Sequence, residues 1–199
     1  MSGRVGVIDW GGGNLGSVRR ALRAVGADPL LGATPAELEG CPRLVFPGVG
    51  SFGDVLAGLR SRGLEDLLRD AVRQERPVLC ICVGLQALFE GSDESPAVPG
   101  LGLLRGRVRR FGSGKVPQIG WNRVEPAHGG AGGIVADGFS YFVNSYYADP
   151  AEPSIVAGWT DYGVRFASAL AFGSVVATQF HPEKSGAVGL DLLRRWLEA

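Results

Sequence analysis

Two cysteines, Cys80 and Cys82, stand one residue apart where the apolar run 77–81 meets a glycine and a helical pattern. Such a pair has four possible uses: a metal pair, a redox pair, two core residues, or one nucleophile with a bystander. A structural zinc site takes four ligands, and only Cys41, His128 and His181 remain, with no paired spacing. A C-x-x-C redox motif is absent. A nucleophile on an α/β sheet sits at a sharp strand-to-helix turn, with small residues two places before and after it. The sequence Cys80-Ile81-Cys82-Val83-Gly84 fits that rule, with Gly84 after the turn and Cys80 where glycine is usual. Cys82 is therefore the candidate nucleophile and Cys80 the small strand residue behind it. Backbone N–H groups at a helix start favour thiolate over thiol, and that of Val83 would face an oxyanion formed on attack. On the turn alone, two inert core thiols remain a competing reading.

A cysteine nucleophile needs a base, and the base an orienting partner. The chain has two histidines. His128 lies in "EPAHGGAGG", which reads as an exposed loop. His181 follows the apolar run "SVVATQF", and Glu183 comes two residues later. Pro182 between them cannot continue a strand ladder. In an extended segment i and i+2 project to one side. Glu183 would then hold one ring nitrogen while the other faces Cys82.

These residues need a scaffold. "RVGVIDW" reads as a buried strand, followed by a helix in which Val18, Leu22 and Val25 recur and Gly26 stops. "PLL" (29–31) is a second strand; Thr34, Pro35 and Glu37 form a capping box. "RLVF" (43–46) is a third strand, leading into the loop "PGVGSFGD". Leu64, Leu67, Leu68 and Val72 mark a helix, 77–81 a fourth strand, and "GLQALFEG" a helix after it. This alternation predicts a parallel sheet covered on both faces. Later, "GRVRRF", "YFVNSYY", "SIVAGW" and "FASALAFGSVVATQF" are strand-like, the last with a hairpin turn at 172–174, and predict an antiparallel or mixed portion. A helix with Val188, Leu192 and Trp196 on one face closes the chain, with Ser185 as its cap.

The 199 residues suffice for one domain with a full core. Lys plus Arg equals Asp plus Glu at 20 each, which gives no electrostatic case for nucleic acid or membrane partners. No apolar stretch is long enough to span a bilayer, and the first residues lack a signal-peptide pattern. With three cysteines, this predicts a cytoplasmic protein without a disulfide framework. Gly11, Gly13 and Gly16 match G-x-G-x-x-G, but no carboxylate ends the second strand to hold a ribose; Asp28 precedes it. A non-catalytic nucleotide-binding module is therefore the minor alternative.

The segments "ICVGLQALFEGSDESPAVPGLGLL", "PGVGSFGD", "VPQIGWN", "YFVNSYY" and "QFHPEKSG" together resemble the class I glutamine amidotransferases. Within that class they are similar to the glutaminase subunits of imidazole glycerol phosphate synthases of histidine biosynthesis, along essentially the whole chain. The resemblance implies a single domain, 1–199, with a three-layer, doubly wound, flavodoxin-like α/β fold. Its sheet would be mostly parallel with an antiparallel C-terminal portion. It implies a Cys82–His181–Glu183 triad that hydrolyses glutamine without metal or cofactor. An oxyanion hole would use Val83, Val49 and Gly50, and glutamine would be held by Gln86 and by Asn144, Ser145 and Tyr146 of "NSYY". Ammonia would pass to a (β/α)8 cyclase subunit, with Asn14, Trp121, Asn122 and Lys184 near that partner. Trp121, in a polar loop, suits an interface anchor, though a plain core Trp fits the sequence equally. A glutaminase serving another acceptor synthase is the nearest alternative. Two positions depart from the family pattern: Cys80 replaces Gly, and Asn144 replaces a common His.

Overall fold

A computed structural model describes residues 3–127 and 133–199; His128 lies outside the described residues. The first half alternates strand and helix: β1 (Arg4–Ile8), α1 (Leu15–Ala24), β2 (Asp28–Gly32), α2 (Pro35–Leu38), β3 (Arg43–Gly48), α3 (Phe52–Ser61), α4 (Leu64–Arg73), β4 (Val78–Cys82) and α5 (Val83–Ala87). The second half is mostly strands: β5 (Gly106–Arg110), β6 (Gln118–Pro126), β7 (Gly138–Asn144), β8 (Tyr146–Pro150), β9 (Val156–Asp161), β10 (Arg165–Phe172) and β11 (Val175–Thr178), before α6 (Gly186–Glu198).

The main sheet runs in the order β2-β1-β3-β4-β11-β10-β9-β6-β7. It is parallel from β2 to β11 and antiparallel beyond. β5 pairs with β8, which joins β10. The parallel strands are almost continuously apolar because both faces are covered: β4 is buried at every position. α1 packs with α6, while α3 packs with α4 and α5.

The sequence reading misses two elements. α3 begins inside the segment read as loop: Ser51 caps it, its hydroxyl accepting from Asp54 N at 3.1 Å. Phe52, Val55, Leu56 and Leu59 then bury one face. β6 escapes because its exposed and half-buried residues break any simple alternation. Trp121 accordingly lies within a strand, not in a polar loop. "YFVNSYY" is two strands broken at Ser145, since β7 pairs with β6 while β8 pairs with β5. The helix after β4 is shorter than "GLQALFEG". The carbonyls of Ala87, Leu88 and Phe89 accept from residues 101–104 instead of continuing the helical ladder. The capping box is present: Glu37 Oε2 accepts from Thr34 N at 3.1 Å.

Candidate active site

The site forms where β4 and β11 end side by side. They are parallel neighbours with Ile81 opposite Thr178, so one step further Cys82 emerges beside Gln179. Residues distant in sequence thereby meet at the carboxyl edge of the sheet, where open α/β sheets bind ligands. Cys82 is the turn residue, with φ 55° and ψ −112°. An L-residue rarely occupies that backbone region, and the surroundings must hold it there. Two glycines make the room. A Cβ on Gly84 would lie 2.3 Å from the carbonyl of Phe46, and one on Gly48 would lie 2.3 Å from Gly84 N. Cys80 is fully buried on the same strand, between Phe46 of β3 and Ala177 of β11. Burial pushes its thiol far up, so it stays protonated and inert. The two cysteines are thus one turn residue and one core residue, all three thiols of the chain are free, and no cluster of metal-ligating side chains occurs among the described residues.

His181 is buried, and its Nδ1 lies 2.8 Å from Glu183 Oε1. The contact does not come from an extended segment. Pro182–Lys184 form a 3-10 turn, which folds Glu183 back toward the ring. Burial opposes charge on the imidazole, but the nearby Cys82 sulfur and the hydrogen bond to the Glu183 carboxylate outweigh it. The pKa of His181 is raised to about 10. Ser185 does not cap α6 through its side chain. Its hydroxyl donates to His181 O at 2.6 Å and accepts from Tyr141 N at 3.0 Å, pinning the histidine to β7.

A pocket of ≈ 470 Å³ opens over Cys82. Val49, Gly50, Val83, Gln86, Asn144, Ser145 and Tyr146 line it together with His181, so the residues expected around an oxyanion and a substrate are gathered there. Asn14 and Lys184 also line it. Asn14 has a structural duty as well, accepting from Ser17 N at 3.4 Å as the cap of α1. Lys184 stands over the Tyr141 ring, which packs edge-on against Trp121. Trp121 is 57% exposed, which removes the core reading. Asn122 is directed elsewhere: its Nδ2 donates to Asp161 O at 2.9 Å. Asn144 donates from Nδ2 to Tyr146 O at 3.0 Å, so this departure serves to hold the loop.

Two residues of the site escape the sequence reading. Glu94 lines the pocket and accepts from Phe52 N at 2.7 Å. Gln179 is fully buried and contacts both Cys82 and Gln86. The signal for Gln179 is the one that identified Glu183, since it lies two residues before His181. The glycine-rich turn after β1 is occupied from within. Trp10 folds over it, donating from Nε1 to Pro47 O at 2.8 Å. A Cβ on Gly12 would lie 2.4 Å from that indole. Gly12 admits the tryptophan, and Asp28 is engaged with Arg4 at 3.5 Å.

Residues 6–198 match the family model of glutamine amidotransferase class-I. The chain is 46% identical over 198 residues to the imidazole glycerol phosphate synthase subunit HisH of Methanothermobacter thermautotrophicus, covering 98% of each chain. It is 42% identical over 197 residues to the subunit of that name from Dehalococcoides mccartyi, covering 98% of this chain and 96% of that one. A solved structure described as a glutamine amidotransferase superposes with a TM-score of 0.79 at 23% identity, covering 98% of this chain and 97% of that chain.

Proposed function

The chain belongs to the class I glutamine amidotransferases, and from that premise we propose that it is the glutaminase subunit of an imidazole glycerol phosphate synthase in histidine biosynthesis. It hydrolyses glutamine to glutamate and ammonia. It works in a heterodimer with the (β/α)8 cyclase subunit. The cyclase uses the ammonia to convert a phosphoribulosyl formimino carboxamide nucleotide into imidazole glycerol phosphate and an aminoimidazole carboxamide ribonucleotide. Full-length similarity to relatives of that name supports the assignment.

The observation that carries the chemistry is His181, held by Glu183 at 2.8 Å and lining one pocket with Cys82. In this reading the Cys82 thiolate attacks the side-chain amide carbon of glutamine. Backbone N–H groups of Val83 and of the Val49–Gly50 segment receive the oxyanion. His181 gives its proton to the leaving nitrogen, ammonia departs, and a glutamyl thioester remains. His181, now neutral, takes a proton from water, which attacks the thioester, and Cys82 leaves as thiolate. Glu183 keeps the ring oriented through both halves. Gln86 and the 144–146 segment hold the amino-acid end. Glu94, a carboxylate in the pocket lining, is the natural partner for the α-ammonium group.

The cyclase docks on the outer face of β6 and β7. Ile119, Trp121 and Phe139 are 63%, 57% and 59% exposed there, an apolar patch continuous through Tyr141 with Lys184 at the pocket mouth. Exposed apolar clusters of this kind mark interaction sites. Asn14 belongs to the same mouth, whereas Asn122 ties β6 to Asp161 at the end of β9. A cytoplasmic setting goes with this reading and with three free thiols.

The test is Cys82→Ala in the reconstituted complex. Glutamine-dependent synthesis should be lost and ammonia-dependent synthesis retained. Loss of both in an intact complex, or retention of both, contradicts this division of labour.

A further inference from the structure

Gln179 is the most deeply placed polar group at the site, and the chemistry above leaves it without a task. It follows β11, and its backbone N–H donates to Ser168 O of β10 at 2.8 Å. Its side chain is fully buried. Nε2 lies 3.6 Å from the Cys82 sulfur, and Oε1 accepts from Gln86 Nε2 at 3.0 Å. Gln86 Nε2 also donates to Tyr146 O at 3.2 Å. Both hydrogens of the Gln86 amide are therefore committed.

That commitment decides which way Gln179 points. Turned over, its NH2 would face the NH2 of Gln86 and its oxygen would face the sulfur. The first contact is repulsive, and the second is repulsive whenever the sulfur is a thiolate. In the orientation observed, a neutral N–H donor aims at the sulfur that the proposed chemistry requires to be charged before attack. Hydrogen bonds to a charged acceptor are the stronger kind, especially where water is excluded. Few other groups share this work. The charged residues around Cys82 are His181 on the same segment, Glu183 behind it, Lys184 at the mouth, and Glu94 across the pocket. α5 contributes none.

We propose that Gln179 is a positioning residue for the nucleophile: its side-chain N–H holds the Cys82 sulfur in the charged, attacking state, and Gln86 links that carboxamide to the substrate loop at Tyr146. The proposal rests on Cys82 being the nucleophile. It predicts an effect on the reactivity of the sulfur itself, which a purely packing role would leave unchanged.

The experiment uses the full chain bound to its cyclase. Iodoacetamide modification of Cys82, located by peptide mass mapping, is followed from pH 5 to 9. Wild type is compared with Gln179→Met, which keeps length and loses the donor, and Gln179→Glu, which keeps shape and sets an oxygen against the sulfur. At the pH where wild type reacts at half its maximal rate, Gln179→Met should react about tenfold more slowly, the equivalent of one pH unit. The Gln179→Glu rate should be lower still at neutral pH. For glutamine hydrolysis, kcat should fall with KM within about twofold. A Gln179→Met profile superimposable on wild type in a folded complex overturns the proposal, as does a rise in KM alone. Should Gln179→Met not fold, wild-type alkylation of folded Gln179→Glu overturns it equally. Cys82→Ala is run alongside: if it keeps glutamine-dependent synthesis, the nucleophile reading fails and this proposal with it. If it does not, a failure here belongs to Gln179 alone.

Discussion

The charge on His181 couples catalysis to stability. Its pKa is raised to about 10 in the folded chain, against about 6.5 unfolded. A base whose pKa rises on folding stabilises the fold fully below its unfolded value, and that contribution is lost as pH climbs to the folded value. Stability from this group should therefore be complete below about pH 6.5 and decline between there and about 10. Glu183→Gln weakens one of the contacts that raise the pKa, so the decline should shrink. Urea midpoints of both proteins at pH 6, 8 and 10 measure it, and an unchanged slope would mean that Glu183 does not hold the charge. Cys80 is the contrasting case, a thiol that burial keeps protonated. Cys80→Gly should keep glutaminase activity while costing about 1–2 kcal/mol, through a lost core contact and added backbone freedom. Activity assays beside thermal melts check this, and loss of activity at normal stability would revive a paired role for the two cysteines.

At the scale of elements, the turn that carries Cys82 is built by what it lacks. Gly84 and Gly48 let β3, β4 and α5 approach to backbone contact. Gly84→Ala has no space and should destabilise the chain by about 1–3 kcal/mol as an overpacked site. Because the turn is the part that must shift, glutamine hydrolysis should fall further than stability does. Melting temperature and kcat, measured together, separate the two, and wild-type kcat in the Gly84→Ala variant would show that the turn is not under this constraint. The other glycine-rich turn has a different cause. Gly12 and Gly58 make room for the Trp10 indole and backbone, while Gly11 and Gly13 of the pattern supply positive φ at 102° and 114°. Both turns come from glycine, and only the neighbours distinguish them.

Across the whole molecule, the sheet joins the two parts of the proposed function. Its parallel half ends in the catalytic edge, and its antiparallel half carries the apolar face of β6 and β7 outward. Trp121 is the largest side chain on that face and, in the proposed function, the anchor for the cyclase. Trp121→Ala should weaken the complex by about 2 kcal/mol or more, the range of an interface hot spot, or roughly 30-fold in Kd. Its melting temperature should hardly move, because the side chain is more than half exposed. Calorimetric titration of the cyclase reads the first and a thermal melt the second. Wild-type affinity would place the partner on another face.

Local chemistry was legible in the amino-acid sequence wherever it depends on neighbours in the chain. The Cys82 turn with Gly84, the His181–Glu183 spacing, the capping box at Thr34 and the apolar runs of β1, β3 and β4 are all of this kind. α3 was equally legible, since Ser51, Asp54 and the spacing of Phe52, Val55, Leu56 and Leu59 spell it out, but the glycines around it read as loop. The tertiary structure decided what depends on the path of the whole chain. β11 returns to lie parallel beside β4, and only that pairing sets Gln179 against the Cys82 sulfur and His181 within reach of it. The task of Ser185, which joins His181 to Tyr141, and the outward direction of Trp121 follow from segments that meet far apart in sequence. Spacing along a chain determines which side chains share a face, whereas strand order determines which faces meet.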